Sequence, residues 1–558
     1  MFTVRVNGQD IQLDDHEQIN AIQAAQRIEV EVPHYCWHPE LTVVASCRMC
    51  LVEQGEQKPD GSIAMLPKLV PGCQTPMKPG TVIVTDSPKV KEAQQATLEY
   101  LLLNHPLDCP VCDQAGECFL QDYSFKFGRG HTRLHEPKLK KQDKDHIGEH
   151  ITLFTDRCVM CSRCVRFTRE ISGTSELQVI QRGSHAEIDI FPGEPCNNKL
   201  AGNVVDLCPV GALCSKDFLY QQRVWWLKSK ESVCPGCSTG CSIRVDANEN
   251  VLYRLRPRPN PNAQGYFMCD EGRFGAKYVN GETRLHSPQI RDGNGELTNQ
   301  NWHHAYDNVR TRLTEIAKQS PQSLAAVLSP WMTVEEAYLL ASYMKKLSPD
   351  IRLALGTVRV EGEDDCYPKD IHGKALPNPK FTIRAEKCPN RLGVEAVLKH
   401  YEGQVVGFPE VLAEIQMGSI DAMYLVGGDP GAWLSQAQAA PLSQLKYLVV
   451  QDMLPSEAIA CAHVVLPGVS FAEKEGTFVN HAGLAQQIQR ALMPAGEARM
   501  DGRILWELAG RTGLFHAPTL REEIAQTIPS LQNLPAKMKS SGAFLSENAT
   551  DGKLVSSV

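Results

Sequence analysis

Long apolar runs are missing from this sequence. No stretch approaches the roughly 20 consecutive apolar residues of a membrane-spanning helix, so direct membrane insertion is not expected. An excess of basic charge is missing too: 57 Lys and Arg stand against 65 Asp and Glu, a formal net charge of -8. Without a basic face the chain lacks the electrostatic footprint of a nucleic-acid binder, and no nucleic-acid partner is expected. Neither a G-x-G-x-x-G fingerprint nor a P-loop occurs. The nearest candidate, Gly427-Gly428-Asp429-Pro430, reads as a tight turn after a strand, so no nucleotide site is assigned. Met1 to Asp10 alternate apolar and polar side chains through Asn7-Gly8, the pattern of a strand and turn rather than an export signal.

What the sequence has in quantity is cysteine, 20 in 558 residues. A chain of this length exceeds one ordinary core, which stops growing near about 250–300 residues. Disulfide-dense proteins are mostly small and secreted; this one is long and is not expected to be secreted. Cysteines two residues apart recur in separate groups, which places thiolates within reach of one metal centre and leaves zinc or iron–sulfur ligation.

The first group is Cys36, Cys47, Cys50 and Cys73, after an expected hairpin (Phe2, Val4, Val6; Ile11, Leu13) and a helix carrying Ile19, Ile22, Ala25 and Ile28. This order resembles a plant-type ferredoxin, which holds a [2Fe–2S] cluster on four thiolates. The Cys36–Cys47 spacing is wider than the plant-type C-x4-C. A four-thiolate zinc site is the plainer alternative. The second group, His105-Pro-Leu-Asp-Cys109-Pro-Val-Cys112-Asp-Gln-Ala-Gly-Glu-Cys118, follows a leucine-rich helical run from Thr97 to Asn104. Three cysteines leave a cubane one ligand short, and a neutral imidazole can be the fourth, as histidine is in Rieske centres. By spacing alone His105 is a ligand or a helix-capping side chain. The third group is Cys158, Cys161 and Cys164 with the remote Cys208-Pro209. A two-cluster bacterial ferredoxin repeats C-x2-C-x2-C-x3-C-P; here Thr168, Asn198, Ala201 and Val204 occupy four of the expected ligand places, so one complete [4Fe–4S] set survives. The fourth group is Cys234, Cys237, Cys241 and Cys269. Cys196, Cys214, Cys366, Cys388 and Cys461 show no ligand spacing and read as free thiols in or near cores.

Beyond Cys269 the paired cysteines stop. Leu324 to Leu328, Met423 to Val426 and Tyr447 to Val450 read as buried strands, and Thr333-x-x-Glu336 forms a capping box before a helix from Glu335 to Leu347. Strands alternating with helices imply a doubly wound α/β region. Pro257, Pro259 and Pro261 interrupt the segment before Cys269.

The second string is similar to the HxxxCxxCxxxxxC motif of complex I and its hydrogenase relatives, and the fourth group to the N-terminal module of molybdopterin oxidoreductases. Val465-Leu-Pro-Gly-Val-Ser-Phe-Ala-Glu473-Lys-Glu-Gly476-Thr-Phe-Val-Asn480, leading to Gln486, Gln487 and Gln489, resembles that core as it survives in complex I. Taken together, the chain most resembles the large iron–sulfur subunit of the peripheral arm of bacterial NADH:quinone oxidoreductase. The resemblance implies an α+β and α/β multidomain chain: a [2Fe–2S] ferredoxin-like (β-grasp) domain at 1–80, a histidine-plus-three-cysteine [4Fe–4S] domain at 81–145, a [4Fe–4S] ferredoxin-like domain at 146–222, a molybdopterin-oxidoreductase-type [4Fe–4S] module at 223–280, and a reduced molybdopterin-oxidoreductase-like α/β scaffold at 281–558. It implies His105 as a ligand, one [2Fe–2S] and three [4Fe–4S] clusters on fifteen cysteines and His105, and no molybdopterin. It implies single-electron relay, with no catalytic residue, from an FMN- and NADH-binding flavoprotein subunit to quinone-side iron–sulfur subunits, coupled to proton translocation by the whole complex. It implies a peripheral place on the cytoplasmic side of the bacterial inner membrane, and it puts the Cys234 cluster off the main electron path. A formate dehydrogenase would share all four motifs but need a pterin site and a catalytic cysteine or selenocysteine, which are not found. A hydrogenase diaphorase subunit would end near Tyr220. A structural zinc protein does not explain the histidine-containing group or the Cys-Pro closure.

Overall fold

The computed structural model describes residues 1–545. The chain divides into two compact units, one formed by Met1–Leu227 with Tyr367–Pro377, the other by Lys228–Cys366 and the described residues from Asn378 on. Among the described residues no helix is long and apolar enough to cross a membrane.

The first unit opens on the expected hairpin, with Phe2–Val6 antiparallel to Gln9–Leu13 and Val4 opposite Ile11. The turn residues Asn7 and Gly8 both have positive φ, 48° and 83°, which suits the twist of a two-residue hairpin. Thr81–Val84 returns parallel to the first strand and pairs antiparallel with Leu51–Gln57. Helix Ala21–Gln26 buries Ala21, Ile22, Ala24 and Ala25 among Val4, Val6, Ile11, Val52 and Ile83. It is shorter than the apolar spacing predicts. Asn20 and Gln23 close a capping box at one end and Arg27 caps the other, while Ile19 and Ile28 reach the same core from outside the helix. Helix Pro88–Leu102 instead starts nine residues before the predicted Thr97. Ser87 caps the Val90 N–H at 3.3 Å and Pro88 suits the first turn. Its buried stripe is only Val90, Gln94 and Leu98, too narrow for the apolar pattern to reveal the first half. Ile151–Leu153 pairs antiparallel with Leu213–Ser215, bringing the two ends of the third cysteine region together.

The second unit begins with a three-stranded antiparallel sheet, Lys228–Val233, Ser242–Asn248 and Val251–Pro257. A seven-stranded sheet follows, in the order Leu297–Asn299, Gln289–Arg291, Val464–Pro467, Tyr447–Asp452, Ala422–Val426, Leu324–Leu328, Arg352–Leu355. The last five strands are parallel and the first two form an antiparallel edge. Leu324, Ala326 and Leu328 face one core and Ala325 and Val327 another; Tyr424 and Met423 divide in the same way. Both faces are therefore covered by helices, which explains why these strands read as unbroken apolar runs.

The capping box of helix Val334–Leu347 sits inside a buried ion network. Glu336 accepts the Thr333 N–H at 2.8 Å and pairs with Lys474 at 3.0 Å, and Lys474 also faces Asp501 at 3.5 Å. Glu335 pairs with Arg521 at 3.2 Å and accepts the N–H and hydroxyl of Thr477, each at 2.7 Å. Arg284 meets Glu473 at 2.8 Å. Two carboxylates in the first helical turn also suit the positive end of the helix dipole. The conspicuous segment Val465 to Asn480 is thus bound to the first turn of this helix by charge.

Candidate metal centres

Each cysteine loop turns its backbone inward. Ala45 and Arg48 in the first, Met160 and Ser162 in the third, Gly116 in the second and Gly240 in the fourth all have positive φ, between 49° and 92°. Non-glycine residues in this region cost of order 1–3 kcal/mol each and collect at functional sites. Such left-handed residues are the backbone pattern that can aim successive N–H groups at an anion or an iron–sulfur group.

Backbone N–H groups reach several of the sulfurs. Cys208 accepts from Val210, Ala212 and Leu213, Cys118 from Leu120 and Gln121, Cys36 from Ser46 and Cys47, and Cys234 from Gly236. The Gly272 N–H lies 3.3 Å from the Cys269 Sγ. Such donors favour thiolate, while burial opposes it. Burial pushes Cys158 and Cys234 up to about 12 and Cys161 and Cys118 up to about 11. A metal centre resolves the conflict by replacing the proton.

In the first group the side chains of Cys36 and Cys47, Cys36 and Cys73, and Cys50 and Cys73 are hydrogen-bonded in pairs, so all four are together. Cys158, Cys161, Cys164 and Cys208 line one small cavity closed by Leu153, Ile188 and Val210. Cys234, Cys237, Cys241 and Cys269 line another, with Phe381 and Met268. Among the described residues no three His, Cys, Asp or Glu side chains converge as they would on a single ion.

Small residues keep these spaces clear. A Cβ on Gly272 would lie 2.8 Å from the Cys234 Sγ and 3.5 Å from that of Cys269. On Gly211 it would lie 2.3 Å from the Cys112 Sγ, so the Cys208 loop leans directly on the second cysteine group. Gly211→Ala is expected to push Cys112 away and lower bound iron by about four per chain, read by iron analysis with loss of one cubane EPR signal.

The second group is held from outside. The Arg223 guanidinium donates to the Cys112 carbonyl at 3.0 Å and the Cys109 carbonyl at 3.1 Å. Burial, with the Lys138 and Arg157 cations, lowers His105 to about 4, so its imidazole is neutral near pH 7 and has a lone pair to offer. The charged groups that act on the ring include Lys138, Arg157, Asp108 and Asp156.

The α/β region braces the fourth group. Asn480 Nδ2 donates to the Thr239 carbonyl at 3.0 Å, Gln486 Nε2 to the Gly240 carbonyl at 2.7 Å, and the His481 N–H to the Ser238 carbonyl at 2.9 Å. At the places a two-cluster ferredoxin pattern would give to ligands, Thr168, Ala201 and Val204 are buried and Asn198 Nδ2 donates to Glu176 at 3.0 Å. Among the cysteines without ligand spacing, Cys196, Cys214 and Cys388 are buried, Cys366 and Cys461 half-buried, and no disulfide is present among the described residues. Sequence reasoning missed Arg157, Arg163 and Arg166, all at most 5% exposed; an arginine beside a cysteine reads as surface until the fold encloses it.

Five family profiles match in chain order. They are a 2Fe-2S iron-sulfur cluster binding domain (1–88), the NADH-ubiquinone oxidoreductase-G iron-sulfur binding region (94–133), the ferredoxin-like domain of NADH-quinone oxidoreductase subunit 3 (148–214), a molybdopterin oxidoreductase Fe4S4 domain (227–281), and molybdopterin oxidoreductase (284–356 and 395–511). The chain is 28% identical to the G-type subunit of NADH-quinone oxidoreductase from Rickettsia felis over 98% of its own length and 93% of the relative's. It is 35% identical to the mitochondrial NADH dehydrogenase [ubiquinone] iron-sulfur protein 1 of Solanum tuberosum, over 92% and 80%. A solved NAD+-reducing [NiFe]-hydrogenase structure aligns with 40% of this chain and 91% of its own at a TM-score of 0.34 and 24% identity. With four cysteine groups, a doubly wound scaffold and relatives that match almost end to end, the chain belongs to the family of the G-type subunits of NADH-quinone oxidoreductase and the mitochondrial iron-sulfur protein 1.

Proposed function

We propose that this chain carries single electrons within an NADH:quinone oxidoreductase. It would hold one [2Fe–2S] cluster on Cys36, Cys47, Cys50 and Cys73, and three [4Fe–4S] clusters on His105, Cys109, Cys112 and Cys118, on Cys158, Cys161, Cys164 and Cys208, and on Cys234, Cys237, Cys241 and Cys269. The observation that carries the reading is that two complete cysteine sets each line one small cavity, with backbone N–H groups aimed at the sulfurs. When bound, iron–sulfur clusters accept and release one electron at a time, at potentials set by charge, hydrogen bonds to sulfur and burial.

The chain's own residues supply those three controls. Backbone N–H donors offset thiolate charge, apolar walls such as Leu153 and Ile188 limit water, and the neutral His105 makes its group less negative than a four-thiolate one. The five-part domain division, the donor flavoprotein, the quinone-side acceptor subunits and a peripheral place on the cytoplasmic side of a bacterial inner membrane belong to the same proposal. The test is metal and sulfide analysis of anaerobically purified protein, with low-temperature EPR after dithionite reduction. About 14 iron and 14 sulfide per chain, without molybdenum, is expected. Molybdenum or tungsten at about one per chain would point to a formate dehydrogenase, and zinc without sulfide would defeat both readings.

A further inference from the structure

One face of a single helical segment holds the loop between Cys36 and Cys47. Arg163, Arg166 and Glu170 lie on Arg163–Phe167 and its continuation Thr168–Ser172, at spacings of three and four that bring them to one side. Arg163 donates to the Trp37 carbonyl and, at 3.3 Å, to the Leu207 carbonyl. Glu170 accepts the Thr42 N–H at 2.9 Å and the Thr42 hydroxyl at 2.7 Å. Between them Arg166 donates to the carbonyls of Cys36 and Thr42 and, at 3.3 Å, of Cys161. Its side chain is among the largest fully buried in the molecule, at 2% exposure.

The extra residues that widen the Cys36–Cys47 spacing therefore include the contact point Thr42. Arg166 is bonded through backbone to a candidate ligand of the [2Fe–2S] centre and to one of the Cys158 centre. Arg163 lines the cavity of the latter, and its Nε has no hydrogen-bond partner. Potentials respond to net charge and burial around a cluster, and a buried cation acts strongly because little water screens it.

We propose that Arg166 is a positioning residue shared by two redox centres: its one buried charge raises the potentials of the [2Fe–2S] and Cys158 centres together, while its fork fastens the widened loop to the helix that follows Cys164. Raising both together leaves the driving force between them nearly unchanged. The proposal rests on the ligand sets given above.

The test is EPR redox titration of both centres in the assembled enzyme carrying Arg166→Gln or Arg166→Lys. In Arg166→Gln both signals are expected at full intensity, with each one-electron equilibrium about tenfold less favourable to reduction, ~59 mV lower. Arg166→Lys keeps the charge but not the planar fork, and is expected to restore both potentials. Full signals in Arg166→Gln with neither or only one potential displaced would overturn the proposal. If Arg166→Gln loses a signal, Arg166→Lys decides: both signals at wild-type potentials support the shared charge, and a lost signal or a displaced potential overturns it. Failure of the ligand reading looks different, since the wild-type enzyme would then lack one of the two signals.

Discussion

Replacing Cys158 with alanine is expected to remove one cubane EPR signal, lower iron and sulfide by about four each per chain, and bring NADH-to-quinone electron flow to background. Cys158 lines a cavity with the three other thiols of its set, and its Sγ accepts the Met160 N–H at 3.4 Å. The two left-handed residues of this loop, Met160 and Ser162, at φ 51° and 57°, repay their strain only if the sulfurs share a guest. Without the thiolate, three ligands remain; of the polar side chains in the wall, Arg163 is a cation and the Ser162 hydroxyl is held by the Arg166 Nε at 3.3 Å. With the Cys234 centre expected off the main path, the relay is expected to run through this centre, so the loss is expected to stop flow rather than slow it. EPR intensity, iron content and quinone reduction on the same preparation check the expectation. Full activity with the signal absent would mean that electrons bypass the Cys158 centre.

The second large effect belongs to stability. Lys474→Met is expected to destabilise the second unit by about 3–5 kcal/mol, because it leaves Glu336 and Asp501 buried without their cation. Burial, reinforced by Asp501 and opposed by Lys474, already pushes the Glu336 carboxyl up to about 7. A carboxyl raised on folding contributes stability in full below its unfolded value near 4.5 and loses it as pH rises through about 7. The defect of Lys474→Met should therefore be larger at pH 8 than at pH 5.5. Urea unfolding at both pH values measures it, and a variant with the wild-type midpoint at pH 8 would mean that the network contributes little. Glu336→Gln in the Lys474→Met background should remove most of the pH difference.

Much of the fold was open to sequence reading because its signals are local. The hairpin at Asn7-Gly8, the strand Leu324–Leu328 and the capping box at Thr333 appear where the residue pattern predicts them. Helix limits were less readable. Helix Pro88–Leu102 hides its polar first half, and helix Ala21–Gln26 stops short of an apolar spacing that continues past its cap. The cysteine groups were visible because ligands of one centre largely share a short loop, so spacing alone brings their sulfurs near each other. His105 differs: only its motif names it, and what the fold adds is burial with Lys138 and Arg157 nearby, which keep its imidazole neutral.

By itself the sequence determined the order of cysteine groups, the alternation of the α/β region, and the absence of a nucleotide loop or apolar span, all of which depend on neighbours along the chain. Only the tertiary structure decided which charges are buried and what they join. Arg166 spans 130 residues to reach the Cys36 carbonyl, and Lys474 spans 138 to reach Glu336. Their residue types would suit any surface. Enclosure, by stripping away water and leaving specific carbonyls and carboxylates as the available partners, gives each cation its role.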